Sequence, residues 1–308
     1  MWDVGFLVMG VLLAAFGGRV FLRGTVGLAA VLLVPPGIIG ATVAAFATSS
    51  PEAAVGINAA INGTPAVAVG DALGGNVTTV SLVMGTALMV SAIALDRRDV
   101  RRDLPFVTAA PLLVGLLTFD GWLGRTDGAV LVTVFAVWLG TTVSQALRER
   151  DATGKVLGEQ TPRRALMLTL VGIVALVLAG RLVVVGATGL GVTLGLDPFL
   201  VGATVVALGT STPELATVVV GQLRGHPDLG AGTVMGSHIF NALLIVGGVA
   251  LIRPFELHVD EVAIPVVAAV AGAMLLIPGR SWRLGRSRGA LLLLAYGTYV
   301  FAAVRVLA

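Results

Sequence analysis

Two glutamates stand in otherwise apolar stretches of this chain, each beside the same small group of hydroxyl and proline residues. The first group reads Ala47-Thr-Ser-Ser-Pro-Glu52 and the second Gly209-Thr-Ser-Thr-Pro-Glu214. Thr48 and Ser49 precede Glu52 by four and three positions, and Thr210 and Ser211 precede Glu214 likewise, so on a helix each trio shares one face. Pro51 and Pro213 have no N–H and crowd the preceding turn, which frees carbonyls near Ala47 and Gly209. Carboxylate, hydroxyl and carbonyl oxygens are the hard donors that Ca²⁺ takes, about six to eight at a time. Two glutamates bring two negative charges, which match one Ca²⁺ or two monovalent cations.

The two groups belong to a longer duplication. Adding 162 carries the segment 40–85 onto 202–247. It maps Pro36 to Pro198, Gly63 to Gly225, Pro65 to Pro227, Gly70 to Gly232, Gly74 to Gly236 and Gly85 to Gly247. About a third of the window matches, which is internal repetition. A carboxylate in a spanning segment is costly unless a counter-ion, a proton or a wet cavity answers its charge. Two at equivalent positions of a repeat point to a cation site near the centre of an inverted-repeat transporter.

A second segment in each copy supplies walls. Asp71, Gly75 and Thr79 are spaced by four, as are Thr233, Ser237 and Asn241, so each trio makes one helical stripe. Their glycines allow close approach to the glutamate helices. Thr79, Ser237 and Asn241 are assigned to the site; Asp71 is placed toward the outer face, as a cation-recruiting or solvated interfacial carboxylate. His238 is read as a packed, hydrogen-bonded residue.

The elements that must hold these residues follow from composition. The chain has 308 residues, 56% hydrophobic and 12% charged, with mean hydropathy +0.98. These values, with apolar runs near the length of a bilayer span, predict an all-α integral membrane protein. Continuous rather than alternating runs exclude a β-barrel. The absence of cysteine excludes disulfides and thiolate metal sites. The arginines sit in short loops between spans, so nucleic acid is not a partner; the lipid bilayer is. No hydrolytic triad or nucleotide loop is present, so the reading is no enzyme and no cofactor.

Ten transmembrane helices are expected, at 3–18, 27–61, 66–95, 104–119, 128–147, 165–187, 198–223, 229–252, 260–278 and 288–306. They divide into a five-helix repeat over 1–147, a cytoplasmic linker over 148–164 and a second five-helix repeat over 165–308. Five is odd, so tandem copies cross the membrane in opposite senses. One side would hold Arg19, Arg23, Arg97, Arg98, Arg101, Arg102, Arg148, Arg150, Lys155, Arg163, Arg164, Arg224, Arg280, Arg283, Arg286 and Arg288. The other would hold Arg125 and Arg253. The basic side is cytoplasmic by the positive-inside rule, with both termini outside. The run Arg97–Asp103 reads as a solvated loop that sets this topology.

The paired motifs resemble those of the Ca²⁺/cation antiporter superfamily, in its prokaryotic sodium/calcium exchanger family. There each repeat reads G-T-S-x-P-E followed by G-N-x-x-G-S-N. Here the second parts stand as Gly70-Asp-Ala-Leu-Gly-Gly-Asn76 and Gly232-Thr-Val-Met-Gly-Ser-His238. The resemblance implies two inverted five-helix repeats, with the first and sixth helices sliding across the other eight. It implies that Glu52 and Glu214 are central ligands shared by Ca²⁺ and Na⁺. Thr48, Ser49, Thr210 and Ser211 would add hydroxyl or backbone oxygens, with Ala47 and Gly209 beside them. It further implies transport of Ca²⁺ against Na⁺; the chain is expected in the plasma (inner) membrane, functional as a monomer.

Three departures matter. Asn241 stands where the family often has an acid, Thr79 where it usually has Asn, and Gly75 where Ser237 has a hydroxyl. The sodium corners thus lose one side chain and one charge. Exchange of Ca²⁺ for H⁺ on the same glutamates is the rival reading, and a two-glutamate cation channel a further one.

Overall fold

The computed structural model describes residues 2–150, 161–192 and 202–307. Most of the expected linker, with Lys155, and Pro198 of the seventh expected span lie outside the described residues. The described chain is almost wholly helical: α1 (Trp2–Leu32), α2 (Pro36–Thr48), α3 (Ser50–Asn62), α4 (Pro65–Val90), α5 (Arg97–Leu117), α6 (Arg125–Arg150) and α7 (Pro162–Val192). There follow α8 (202–210), α9 (Thr212–Leu223), α10 (Pro227–Ile252), α11 (Val259–Leu275) and α12 (Arg286–Leu307). Among the described residues six helices are long and apolar enough to cross a membrane; α2 and α3, bent by 44° at their junction, make a seventh if taken as one span.

The first break falls later than the charges suggest. Arg19 and Arg23 were expected in a loop over 19–26, yet α1 runs through both for 31 residues. At 1.5 Å per residue it is about 46 Å long, more than the hydrocarbon core. The chain turns only where Leu33 takes φ 56° and Pro35 and Pro36 follow. Proline, not arginine, ends the helix, because arginine propagates a helix well and proline denies the preceding residue α geometry. α1 lies antiparallel on α7. A Cβ on Gly24 would overlap the Thr169 backbone, one on Gly172 would stand 2.5 Å from Phe21 Cα, and one on Gly17 would stand 3.1 Å from Ala175 Cβ. Small residues at these crossings let the backbones meet.

The run Arg97–Asp103 is helix, not solvated loop. Asp96 caps α5, its Oδ1 accepting from the Arg98 N–H at 2.7 Å, and an acid is favoured there by the helix dipole. Asp103 is fully buried. Arg102 donates to both its oxygens at 2.7 and 2.5 Å, and Trp138 Nε1 donates to Oδ1 at 2.9 Å. The charge is satisfied by a bidentate partner instead of water.

Two short ladders tie loops at opposite ends of the helices. β1 (Ile93–Ala94) pairs with β4 (Arg283–Leu284), and β2 (Trp122–Leu123) with β3 (Phe255–Glu256), both antiparallel. Helices α4 and α10 form the centre: 78% of each span window is buried, against 22% for α6 and α12.

Wide turns interrupt the central helices. π-helical segments occupy Gly40–Ala44 in α2, Thr78–Val83 in α4, Gly202–Val206 in α8 and Phe240–Ile245 in α10. Adding 162 to the first pair of bounds gives 202–206, and to the second 240–245. The duplicated sequence therefore reproduces its helical defects in register. Such turns collect at functional sites because they leave carbonyls poorly paired.

Candidate cation site

Each glutamate follows a helix break. Ser49 (φ −84°, ψ 10°) separates α2 from α3, and Ser211 (φ −77°, ψ 4°) separates α8 from α9. Pro51 and Pro213 occupy the first turns after the breaks, where a missing N–H costs nothing. Glu52 and Glu214 thus lie in the first turn of α3 and α9, at the positive end of each dipole.

Glycines bring α4 and α10 against the opposite repeat. A Cβ on Gly74 would overlap the Ala203 backbone, and one on Gly236 would overlap Ala41. Both pairs are 162 apart, and both touch the π segments of the partner half. Tyr299 of α12 donates to the Ala203 carbonyl at 2.8 Å, which holds one of these turns.

This docking gathers the expected residues. Thr48, Ser49, Glu52, Thr79, Thr210, Ser211, Glu214, Ser237 and Asn241 are each 2% exposed or less. Bonds run between repeats. Ser49 Oγ donates to Glu214 Oε1 at 2.9 Å, and Ser237 Oγ donates to the same oxygen at 3.2 Å. The helix break thus turns Ser49 toward the other repeat's glutamate and away from the shared face with Glu52. Thr48 bonds back to Ala44 O at 3.0 Å, and Thr79 donates to Gly75 O. Of the two expected carbonyls, Ala47 O accepts from Ser50 Oγ at 2.8 Å. Thr212, the counterpart of Ser50, reaches Leu208 O instead of Gly209 O.

Asp71 is the residue that sequence reasoning misplaced. It is 1% exposed, buried and not a solvated carboxylate, and its Oδ1 accepts from Thr210 Oγ1 at 2.9 Å. Its stripe with Gly75 and Thr79 was the available signal; assumed depth in the membrane overrode it. Thr210 thus ties Asp71 to the helix break that precedes Glu214.

Many oxygens here have no hydrogen-bond partner. They are both Oε of Glu52, Oε2 of Glu214, Oδ2 of Asp71, Ser211 Oγ and Asn241 Oδ1. Buried polar groups are ordinarily paired, and orphans at this density ask for a ligand. Among the described residues no three acids or histidines are grouped to hold a metal by themselves. Hydroxyl, amide and carbonyl oxygens must therefore complete any coordination sphere. A Cβ on Gly75 would stand 3.3 Å from Asn241 Nδ2 and 3.9 Å from Ser211 Oγ, so the missing hydroxyl of the first repeat would have pointed among these orphans. His238 and its counterpart Asn76 are fully buried as well. His238 is packed as expected, its ring beside the backbone of Asn76 and Val107, while neither amide atom of Asn76 has a hydrogen-bond partner.

Orphan acids at breaks in close-packed, membrane-length helices define a carrier of cations through the bilayer. A profile of the sodium/calcium exchanger protein family matches residues 2–143 and again 164–305. The chain belongs to that family; it is a membrane protein and a secondary transporter of cations, not an enzyme. CaxA of Alkalimonas amylolytica is 32% identical to it over 96% of this chain and 97% of its own. The inner membrane protein YrbG of Escherichia coli (strain K12) is 33% identical over 82% of this chain and 80% of its own. The sodium-calcium exchanger NCX_Mj, soaked with Na⁺ and Ca²⁺, superposes with a TM-score of 0.80 and 26% identity, covering 100% of this chain and 99% of that one.

Proposed function

We propose that this chain exchanges Ca²⁺ for Na⁺ by alternating access, moving Ca²⁺ out of the cytoplasm of a cell whose plasma (inner) membrane it crosses as a monomer. The carrying observation is the pair Glu52 and Glu214, 162 positions apart, buried at matching helix breaks with three of their four carboxylate oxygens unpartnered. Ca²⁺ or monovalent cations compete for these oxygens together with those of Thr48, Ser49, Thr79, Thr210, Ser211, Ser237, Asn241 and the carbonyls at Ala47 and Gly209. Emptied, the site holds uncompensated buried charge, which opposes the passage between inward and outward states; a bound cation removes that barrier. Exchange follows because the empty carrier does not cross.

The ten-span inverted arrangement belongs to the same reading. The β1–β4 ladder joins the loops before Arg97 and before Arg286, and the β2–β3 ladder joins those holding Asp120 and Arg253. That grouping agrees with the arginine bias, which puts the first pair of loops in the cytoplasm and both termini outside. Because the chain has no cysteine, Arg101→Cys and Asp120→Cys can be labelled singly in intact cells. Impermeant maleimide should reach only the latter.

Asp71 favours a second reading. Three carboxylates against one Ca²⁺ leave a charge over, which a Na⁺ or a proton must answer. With Asn241 lacking an acid and Gly75 a hydroxyl, a proton on this group makes Ca²⁺/H⁺ exchange the alternative. The test is radiolabelled Ca²⁺ uptake into proteoliposomes under an outward Na⁺ gradient or an outward H⁺ gradient. Uptake driven by Na⁺ and lost in Glu52→Gln supports the first reading; uptake driven by H⁺ alone replaces it with the second.

A further inference from the structure

Arg23 on α1 and Arg224 and His226 at the end of α9 converge on one cavity of about 250 Å³, floored by Leu22 and Val26. The turn that presents the last two is hydrogen-bonded back to α9. The His226 N–H bonds Gly221 O at 2.9 Å and the Gly225 N–H bonds Gln222 O at 3.4 Å, with Gly225 at φ 80°. This is a Schellman motif, whose left-handed position suits glycine. Leu22 packs into the cluster of Ala29, Ile39 and Leu229 behind the cavity. Among the described residues no acid forms an ion pair with Arg23, Arg224 or His226. Asp228, in the first turn of α10, does not line the cavity.

The repeat supplies an internal control. The α3 turn has the same geometry, with Gly63 at φ 85° and the Thr64 N–H on Ala59 O at 2.9 Å. Yet subtracting 162 from 224 and 226 gives Asn62 and Thr64, and adding 162 to 23 gives Val185. The basic triad exists on one side of the molecule alone. On the topology proposed above, the arginine bias puts Arg23 at the cytoplasmic end of α1. Above Arg23 the same face of α1 exposes Met9, Leu12 and Phe16 to lipid, at the 3–4 spacing of one helical stripe.

We propose that this cavity binds the phosphate headgroup of an anionic phospholipid of the cytoplasmic leaflet, with an acyl chain lying along Phe16, Leu12 and Met9. Guanidinium groups hold a phosphate through paired charge-assisted hydrogen bonds, and the imidazole adds a donor. The lipid bridges α1 to the α9–α10 turn. It is independent of the transported ion.

Native mass spectrometry of the purified full chain, loaded with phosphatidylglycerol or phosphatidylcholine of matched chains, tests this. Wild type should retain phosphatidylglycerol over phosphatidylcholine, and R23Q/R224Q should reduce that preference about tenfold. Thermal unfolding in the same micelles should show stabilisation by phosphatidylglycerol in wild type, smaller in the milder His226→Gln. These two readings keep the idea testable if the double variant misfolds. Equal retention of both lipids by wild type, or an unchanged preference in either variant, overturns the site. Displacement of the lipid by millimolar inorganic phosphate would make it a soluble-phosphate site and overturn the lipid assignment.

Discussion

The two halves of the molecule share a frame and differ in how they hold their glutamate. Glu214 is held at Oε1 by Ser49 and Ser237. By symmetry Glu52 should be held by Ser211 and residue 75. It is held by neither: both its oxygens and Ser211 Oγ are unpartnered, and residue 75 is glycine. Asp71 adds a second carboxyl where the second half has Thr233, which only bonds back to Leu229 O at 2.8 Å. The first half thus brings two acids that share one hydroxyl partner, Thr210 on Asp71, while the second half's single acid has two, Ser49 and Ser237. A cation would gain most from the first half's bare oxygens. The second half is organised before any ion arrives.

The largest effects should come from the glutamates. Glu52→Gln and Glu214→Gln should each lower exchange about 100-fold or more in proteoliposomes, because each removes half the charge that Ca²⁺ requires. They should part company in ion-free thermal unfolding. Glu52→Gln removes an unpartnered buried carboxylate and should stabilise by about 1–3 kcal/mol, whereas Glu214→Gln weakens accepted bonds and should not. Equal shifts would erase the contrast between the two glutamates.

Next come Gly74→Ala and Gly236→Ala. Both new Cβ atoms meet backbone of the opposite repeat, so each should destabilise by about 1–3 kcal/mol, in the same direction and to a similar extent. A large effect at one position only would show the frame itself to be asymmetric. Asp71→Asn should then change the competing monovalent ion's half-inhibition of Ca²⁺ uptake about tenfold, leaving expression and folding intact because an amide oxygen still accepts from Thr210. The smallest effect is expected of Gly75→Ser. A hydroxyl restored among Ser211 and Asn241 should raise Ca²⁺ affinity about threefold by calorimetry, with the Asn241 amide yielding slightly.

The duplication, the paired breaks and most of the site were legible because they depend on residue type at fixed offsets. Pro51, Pro213 and the glycine rows carry their geometry in their chemistry. Depth and partner choice were less so. Asp71 looked interfacial because its distance along α4 was measured without the docking of α8 that covers it. Ser49 was assigned to its own glutamate because a shared helical face assumes an unbroken helix. Arg19, Arg23 and the run 97–103 were mistaken for loops, since charge marks solvent only when no partner or snorkelling route exists, and Asp103 has both Arg102 and Trp138. The π segments have no residue signature here at all.

Those wide turns also bear on descent. An enlarged helical turn is a local accident, and two of them recurring 162 positions on would need the same accidents twice unless both were inherited. Inheritance requires one parent unit, already carrying its two wide turns before its gene was copied and fused. On the inverted arrangement proposed above, that parent had to insert either way up for two copies to meet. The arginine bias that now orients each half is therefore the younger feature, and the misshapen turns are the older one.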